Sequence, residues 1–267
     1  SCSQPPLSLN FVKNANAGTL FAQQDILKLV GPCKKGDSYQ DYVGLEYLAY
    51  KLWQTMSPYH FRTRLIELSY VDTDKKRKLG QATTFLIEDI SDVAERLNRE
   101  RLKQSEVARQ QMDLQQTALL EVFQLLIGNN DYSTIAGPEG KYCCHNARLL
   151  VELDKTDGAV PVPYDFDASG LVDARYASAP AQYPIKDVRE RYFSGWCKEE
   201  YRFQQAIESF KEKKTDLYQI VGDAPVISDR SRKKTLKYLD SFYALIEDPR
   251  RTQREVIERC RGSIIKG

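Results

Sequence analysis

A chain of 267 residues has room for one large domain or two smaller units sharing a cleft, and a formal net charge of +2 gives no field strong enough to steer nucleic acid or an anionic membrane. With 42% hydrophobic and 28% charged residues the composition is that of an ordinary globular protein, and no window reaches the roughly 18 consecutive apolar residues of a membrane span. The basic runs Lys75-Lys76-Arg77-Lys78 and Arg230-Ser231-Arg232-Lys233-Lys234 lack interleaved stacking aromatics and read as solvated turns, not nucleic-acid patches.

In chain order, Leu7-Ser8-Leu9-Asn10-Phe11 alternates apolar and polar residues, as a half-buried strand should. Residues 14–18 are turn chemistry, 19–22 restart a strand, and Ile26-Leu27-Lys28-Leu29-Val30 is a third, ended by Gly31-Pro32. Asp41 is expected to cap a helix in which Tyr42, Leu45, Ala49 and Trp53 share a face, closed by Pro58. Strands follow at 64–70 and 82–87. Residues 91–116 predict a polar helix capped by Ser91, with Val93, Leu97 and Leu102 as a thin apolar stripe. Residues 119–127 predict a helix buried on most sides, and 128–142 an irregular stretch. Leu149-Leu150-Val151 and Val160-Pro161-Val162 predict a hairpin around Asp157-Gly158. Beyond Gly170 the pattern is mainly helical, near 187–192, 199–210, 231–246 and 252–257. Strands segregated before helices predict an α+β fold with a cleft between the two parts.

The chain opens at Ser1-Cys2 without an initiator methionine, as expected of a mature or trimmed form. Cys2, Cys33, Cys143, Cys144, Cys197 and Cys260 include no C-x-x-C pair, and the histidines are His60 and His145, so a zinc site of ordinary spacing is not expected. Six scattered cysteines suit a disulfide-bonded exported protein, the alternative being six reduced buried thiols in the cytosol. Of fifteen possible connectivities, the expected bonds are Cys2 with Cys33 and one of Cys143 or Cys144 with Cys197, leaving Cys260 unpaired or available to a second chain.

Three features put polar groups where packing alone asks for none. Lys28 shares a strand face with Ile26 and Val30, so it must snorkel or meet an anion. Glu46 lies on the stripe of Tyr42, Ala49 and Trp53, where a carboxylate is costly unless paired, and an ion pair with Lys28 would satisfy both. The third is a succession: Gly128-Asn129-Asn130-Asp131 after a buried helix, Cys144-His145-Asn146 before the hairpin, and Asp165-Phe166-Asp167 closing it. Phosphoryl transfer needs this set of parts: a carboxylate for the acceptor hydroxyl, an amide and carboxylates for magnesium, a lysine for phosphate charge and a glutamate to hold that lysine. An Asp-x-Asp calcium loop lacks its twelve-residue ligand pattern and closing Glu. No Gly-x-Ser-x-Gly elbow or Gly-Lys-Ser/Thr phosphate loop is present, and Cys144 with His145 is a poor nucleophile pair because adjacent residues rarely face one substrate.

The segments Pro5-Pro6-Leu7, Leu9-Asn10-Phe11, Leu27-Lys28-Leu29-Val30, Glu46-Tyr47-Leu48-Ala49-Tyr50, Phe85-Leu86-Ile87-Glu88-Asp89, Ile127-Gly128-Asn129-Asn130-Asp131, Cys143-Cys144-His145-Asn146 and Pro163-Tyr164-Asp165-Phe166-Asp167 together resemble the atypical protein-kinase-like superfamily. Within it the chain resembles the HipA-type and CotH-type bacterial kinases and, more closely, a family of uncharacterised exported bacterial kinase-like proteins. The resemblance runs from about residue 5 to residue 197. It implies a two-lobed fold with a strand-rich N-lobe carrying one helix (1–90) and a mainly helical C-lobe (91–267). It implies that Lys28 binds phosphate, that Glu46 pairs with Lys28, and that Asp131 is the catalytic-loop acid/base. Gly18 would cover the nucleotide, and Phe85 to Asp89 would be the hinge beside adenine, with Ile87, Glu88 and Asp89 binding the nucleotide. Asn146, Asp165 and Asp167 would hold the metal. The chain departs from the pattern in having a single glycine in the turn 13–19, a long separation between Asp131 and Asn146, and no Ala-Pro-Glu segment after Asp165.

The function implied is an ATP- and Mg2+- or Mn2+-dependent phosphotransferase acting outside the cytoplasm on a protein or glycan hydroxyl. The alternatives are a nucleotide-binding pseudokinase scaffold without turnover and an enzyme that transfers AMP from a flipped nucleotide. The expected partners are a nucleotide and a protein or glycan acceptor, with no nucleic acid and no membrane span.

Overall fold

The computed structural model describes residues 2, 4, 7–12, 15–74 and 77–266. Pro5 and Pro6 of the first motif, Lys13 and Asn14 of the first turn and Lys75-Lys76 of the first basic run lie outside the described residues. The alternating segments become β1 (Leu7–Asn10) and β2 (Ile26–Val30). With β3 (Thr63–Asp72) and β4 (Arg77–Ile87) they form one antiparallel sheet in the order β1-β2-β4-β3. The strand expected at 19–22 is absent. Asn16 Nδ2 donates to Gln24 O at 2.9 Å and the Phe21 N–H donates to Thr19 Oγ1 at 3.1 Å, so side chains take over the backbone partners of a ladder.

Between β2 and β3 runs α1 (Asp37–Met56), which starts four residues ahead of the expected cap. Gly36, at φ 120°, makes the turn into it, a conformation that other residues resist. Asp41 instead accepts from Ser228 N at 2.9 Å, Ser228 Oγ at 2.7 Å and Ser231 Oγ at 2.7 Å, tying α1 to the helix α6 (Asp229–Ile246).

The long polar helix predicted over 91–116 is broken up. It yields α2 (Ile90–Arg96), the short strand β5 (Glu100–Arg101), and a 3-10 turn at Arg109–Gln111. Val93 and Leu102 of its apolar stripe are both buried, but in separate segments, because β5 between them pairs with β6 (Ala147–Val151). Asp89, not Ser91, caps α2, accepting from Ser91 N at 2.8 Å. The apolar helix is α3 (Leu114–Ile127), capped by Asp113 and ended by Gly128 in the left-handed region at φ 63°.

The expected hairpin is β6 with β7 (Val160–Pro163), in a sheet of order β5-β6-β7. Because β7 is an edge strand, Pro161 and Pro163 can lack their N–H groups without breaking the ladder. The rest comprises β8 (Trp196–Lys198), α4 (Glu200–Glu212), α5 (Lys214–Gly222), α6, α7 (Pro249–Thr252) with a π turn over Gln253–Ile257, and β9 (Arg261–Ile265). The expected helix at 187–192 is a turn, while α5, β8 and β9 were not predicted. Among the described residues there are seven α-helices beside small sheets, an α+β fold, and no helix is long and apolar enough to cross a membrane.

A chain of buried aromatic rings connects the four-stranded sheet to α3. Phe85 of β4 lies 5.6 Å from Tyr50 of α1, Tyr50 4.8 Å from Phe166, and Phe166 5.7 Å from Phe123 of α3. Each ring edge meets a neighbouring face, an arrangement that adds to the gain from burial. Phe166 is fully buried, which fixes the two aspartates on either side of it.

The disulfides are Cys2–Cys33, Cys143–Cys144 and Cys197–Cys260. The first is the expected one. The expected bond from Cys143 or Cys144 to Cys197 is overturned, and Cys260 is neither unpaired nor intermolecular. Parallel pairing of β8 with β9 sets Trp196 opposite Arg261 and so brings Cys197 and Cys260 to a Cα separation of 4.8 Å. No cysteine is free, which removes Cys144 as a nucleophile.

Candidate functional site

Lys28 emerges from β2 opposite Ile87 of β4, and its Nζ lies 3.4 Å from Asp165 Oδ1. Both side chains are well exposed, so the pair orients more than it stabilises. The expected Lys28–Glu46 ion pair is not formed: Lys28 reaches Asp165, and Glu46 Oε1 is buried without a hydrogen-bond partner. Glu46 remains a neighbour, because Lys28, Glu46, Asp165 and Asp167 all line one cavity of about 460 Å³ together with Tyr42 and Tyr176.

Three carboxyl groups share that cavity with Lys28 and Lys34. Burial, then the charges of Asp165 and Asp167, push the Glu46 carboxyl well above the usual range, with Lys28 opposing. Burial first and Asp165 second also raise Asp167, while a hydrogen bond with the Tyr176 hydroxyl lowers it. The site thus gathers six carboxyl oxygens beside two lysines. A buried carboxylate oxygen with no partner and a surplus of acidic oxygens suit a hard divalent cation, so Asp165 and Asp167 fit Mg2+ or Mn2+. Among the described residues no group of three His, Cys, Asp or Glu is arranged as a metal cage, so any such ion would also draw on Asn146, water or phosphate oxygens.

The raised Glu46 carboxyl has a consequence for stability. A carboxyl that holds its proton more tightly when folded lowers stability as pH climbs past the unfolded value of about 4.3. Glu46→Gln removes that loss. The variant should match the parent near pH 4 and melt at higher temperature from pH 6 to 8; parallel melting curves across that range would show that Glu46 is not strained by burial.

The aspartates are held by backbone geometry. Asp165 sits at φ 64°, and its N–H donates to Tyr50 Oη at 2.9 Å, so α1 positions it directly. Asn146, also left-handed at φ 52°, donates from Nδ2 to Asp131 O at 2.7 Å and to Asp131 Oδ2 at 3.1 Å. The other carboxylate oxygen of Asp131 lies 2.7 Å from His145 Nε2. Asp131 and Asn146 are therefore one hydrogen-bonded unit despite their separation in sequence. They connect to Asp165 through Tyr164, whose N–H donates to Asn146 O at 3.1 Å and whose ring lies 5.8 Å from Lys28 Nζ. Asp131 is close enough to raise the Asp167 carboxyl.

The predicted nucleotide-binding residues divide. Lys28 lies in the acidic cavity, whereas Ile87 and Glu88 line a different one of about 580 Å³ with Leu27 and Gln24. The Glu88 N–H donates to Arg62 O at 2.9 Å and its carboxylate grips Arg96 at 2.9 Å. The Asp89 carboxylate is spent on capping α2, and Gly18 is exposed with nothing within 4 Å of its would-be Cβ. His145, Tyr50 and Tyr176 escaped the sequence reading as partners of the three aspartates. His145 had a signal in standing beside Asn146; the two tyrosines had none beyond lying on buried or turn segments.

No protein-family model matches the chain, and no curated protein matches it in sequence.

Proposed function

We propose that the chain is a kinase-like phosphotransferase, two-lobed in the sense that the sheet and α1 face the helical remainder across the acidic cavity. The observation that carries this reading is the ion pair of Lys28 with Asp165 beside buried Glu46 and raised Asp167, next to the bonded Asp131–Asn146 unit. In it Lys28 takes phosphate charge, and Asp165 and Asp167, with Asn146, hold Mg2+ or Mn2+. The metal, when bound, draws charge from the phosphate oxygens. Asp131, steadied by His145 and Asn146, orients the acceptor hydroxyl and receives its proton as the new O–P bond forms and ADP leaves. Three disulfides support an oxidising location, hence an exported protein.

The scaffold reading also has a specific observation behind it: Gly18 stands alone in open space, and Glu88 and Asp89 are already engaged in structural bonds. Titration calorimetry of the oxidised chain with ATP, with and without Mg2+ or Mn2+, separates the two. Metal-dependent binding that falls at least tenfold in Asp165→Ala is expected, followed by turnover. No binding with either metal overturns the phosphotransfer reading; binding without turnover leaves the scaffold. Mass spectrometry of a modified acceptor tells phosphate from AMP.

A further inference from the structure

Beside Asn146 and His145 opens a cavity of about 780 Å³, whose lining includes Arg101, Lys141, Arg148, Tyr142 and Tyr164 and no aspartate or glutamate. Among the described residues none of its cations is ion-paired with a carboxylate. Arg148 donates to two main-chain carbonyls, Cys144 O and Ala147 O, each at 3.2 Å, also bonds the Tyr164 hydroxyl, and its guanidinium lies 4.5 Å from the Tyr164 ring centre. Arg101 stacks 5.6 Å from the Tyr142 ring, and its Nε is buried with no hydrogen-bond partner. Burial and then the charge of Arg148 weigh against protonated Arg101, with Asp89 opposing. Lys141 is exposed at the rim.

Collecting like charges around a hollow without acidic partners costs free energy unless an anion joins them. Guanidinium groups held by aromatic faces present fixed N–H forks, a geometry that suits the paired oxygens of phosphate, sulfate or carboxylate better than a mobile ammonium does. The position supplies the rest: His145 and Asn146 line the cavity and also bond Asp131.

We propose that this cavity is the acceptor site and that it takes a small hydroxyl compound carrying an oxyanion, which Arg101, Arg148 and Lys141 hold while the hydroxyl faces Asp131. The acceptor role rests on the phosphotransfer reading; the oxyanion site does not, and is measured without nucleotide.

The probe is inorganic phosphate, titrated into the oxidised full chain by calorimetry, with sulfate and acetate run in parallel to tell which oxyanion fits best. Saturable one-to-one binding is expected, weakened about tenfold or more in Arg148→Gln and in Arg101→Gln. It should weaken less in Arg148→Lys, which keeps the charge and loses the fork, and in Lys141→Gln, a surface change that leaves the fold alone. The parent should bind phosphate equally with and without Mg2+, whether or not it binds ATP. Absence of saturable binding, equal binding in the Arg148→Gln and Lys141→Gln proteins and the parent, or one-for-one displacement of phosphate by ATP would each overturn the proposal, the last by putting the anion in the nucleotide cleft. A phosphorylated peptide that binds at least a hundredfold more tightly than phosphate would replace the small acceptor by a protein one.

Discussion

Replacing Glu121 by leucine should cost about 3–5 kcal/mol, the largest single-site loss expected outside the aromatic core. Glu121 lies on α3 and Lys198 on β8, and their side chains are 1% and 2% exposed, so neither charge has water to fall back on. Glu121 Oε1 accepts from Trp196 N at 3.0 Å, its other oxygen accepts from Lys198 Nζ, and Lys198 donates again to Trp196 O at 2.7 Å. Burial pulls the Lys198 ammonium down and Glu121 opposes it without cancelling it, as expected of a pair that is stable only when complete. Lys198→Met should therefore be about as harmful as Glu121→Leu. The double variant Glu121→Gln with Lys198→Met should be milder than either, since the amide can still meet both backbone groups of Trp196 and no charge is stranded. Denaturant unfolding with the disulfides intact measures all of these; singles that cost less than about 1 kcal/mol would refute the buried-pair account.

The second large effect is expected at Arg191. Its guanidinium donates to Leu125 O at 2.9 Å, Leu126 O at 3.0 Å, Tyr238 O at 2.7 Å and Ser241 Oγ at 2.6 Å, and lies 3.6 Å from the Tyr238 ring centre. Two of these carbonyls belong to the last turn of α3, where Leu125 O also accepts from the Gly128 N–H at 3.2 Å and the negative end of the helix dipole lies. Burial lowers the Arg191 guanidinium to about 10, still charged at neutral pH. Arg191→Met takes the side-chain donor from Leu126 O, while Leu125 O keeps the Gly128 N–H and Tyr238 O keeps the Ser241 hydroxyl, so a loss of about 1–3 kcal/mol is expected. Arg191→Lys should recover little, because a point charge cannot serve three carbonyls in a plane. Since Gly128–Asp131 leaves directly from that turn, hydrogen exchange in residues 125–131 should speed up in Arg191→Met beyond the global change; unchanged local exchange would mean that the last turn is held by packing alone.

The lysine and the glutamate of the site were legible because they break hydrophobic patterns, and the aspartates because of the order in which their segments follow one another. Lys28 interrupts an apolar strand and Glu46 an apolar helix stripe, and both line the acidic cavity. The same logic would have exposed Glu121, a lone acid in the apolar run 119–127, had its partner not come from a three-residue strand too short to carry a period. The pairing inside the site was not legible. Which carboxylate reaches Lys28 depends on how Tyr50 and Phe166 orient Asp165, and that is tertiary packing. Strand order, the break-up of 91–116 and the bond from Cys197 to Cys260 were hidden for a similar reason: each depends on what a distant segment offers, β6 for Arg101 and β9 for Cys197.

That last bond alters the topology of the molecule. Cys197 and Cys260 are separated by 63 positions that include α4, α5, α6 and α7, so this stretch is a covalent ring and not an open tail. A single backbone cut in the turn between α5 and α6 would release no fragment: both sides stay joined through the sulfurs, and the ends stay close because Asp41 holds Ser228 against α1. In an oxidising, protease-rich setting the chain can thus be nicked there and remain one molecule, whereas the same nick under reducing conditions would sever α6, α7 and β9 from the rest.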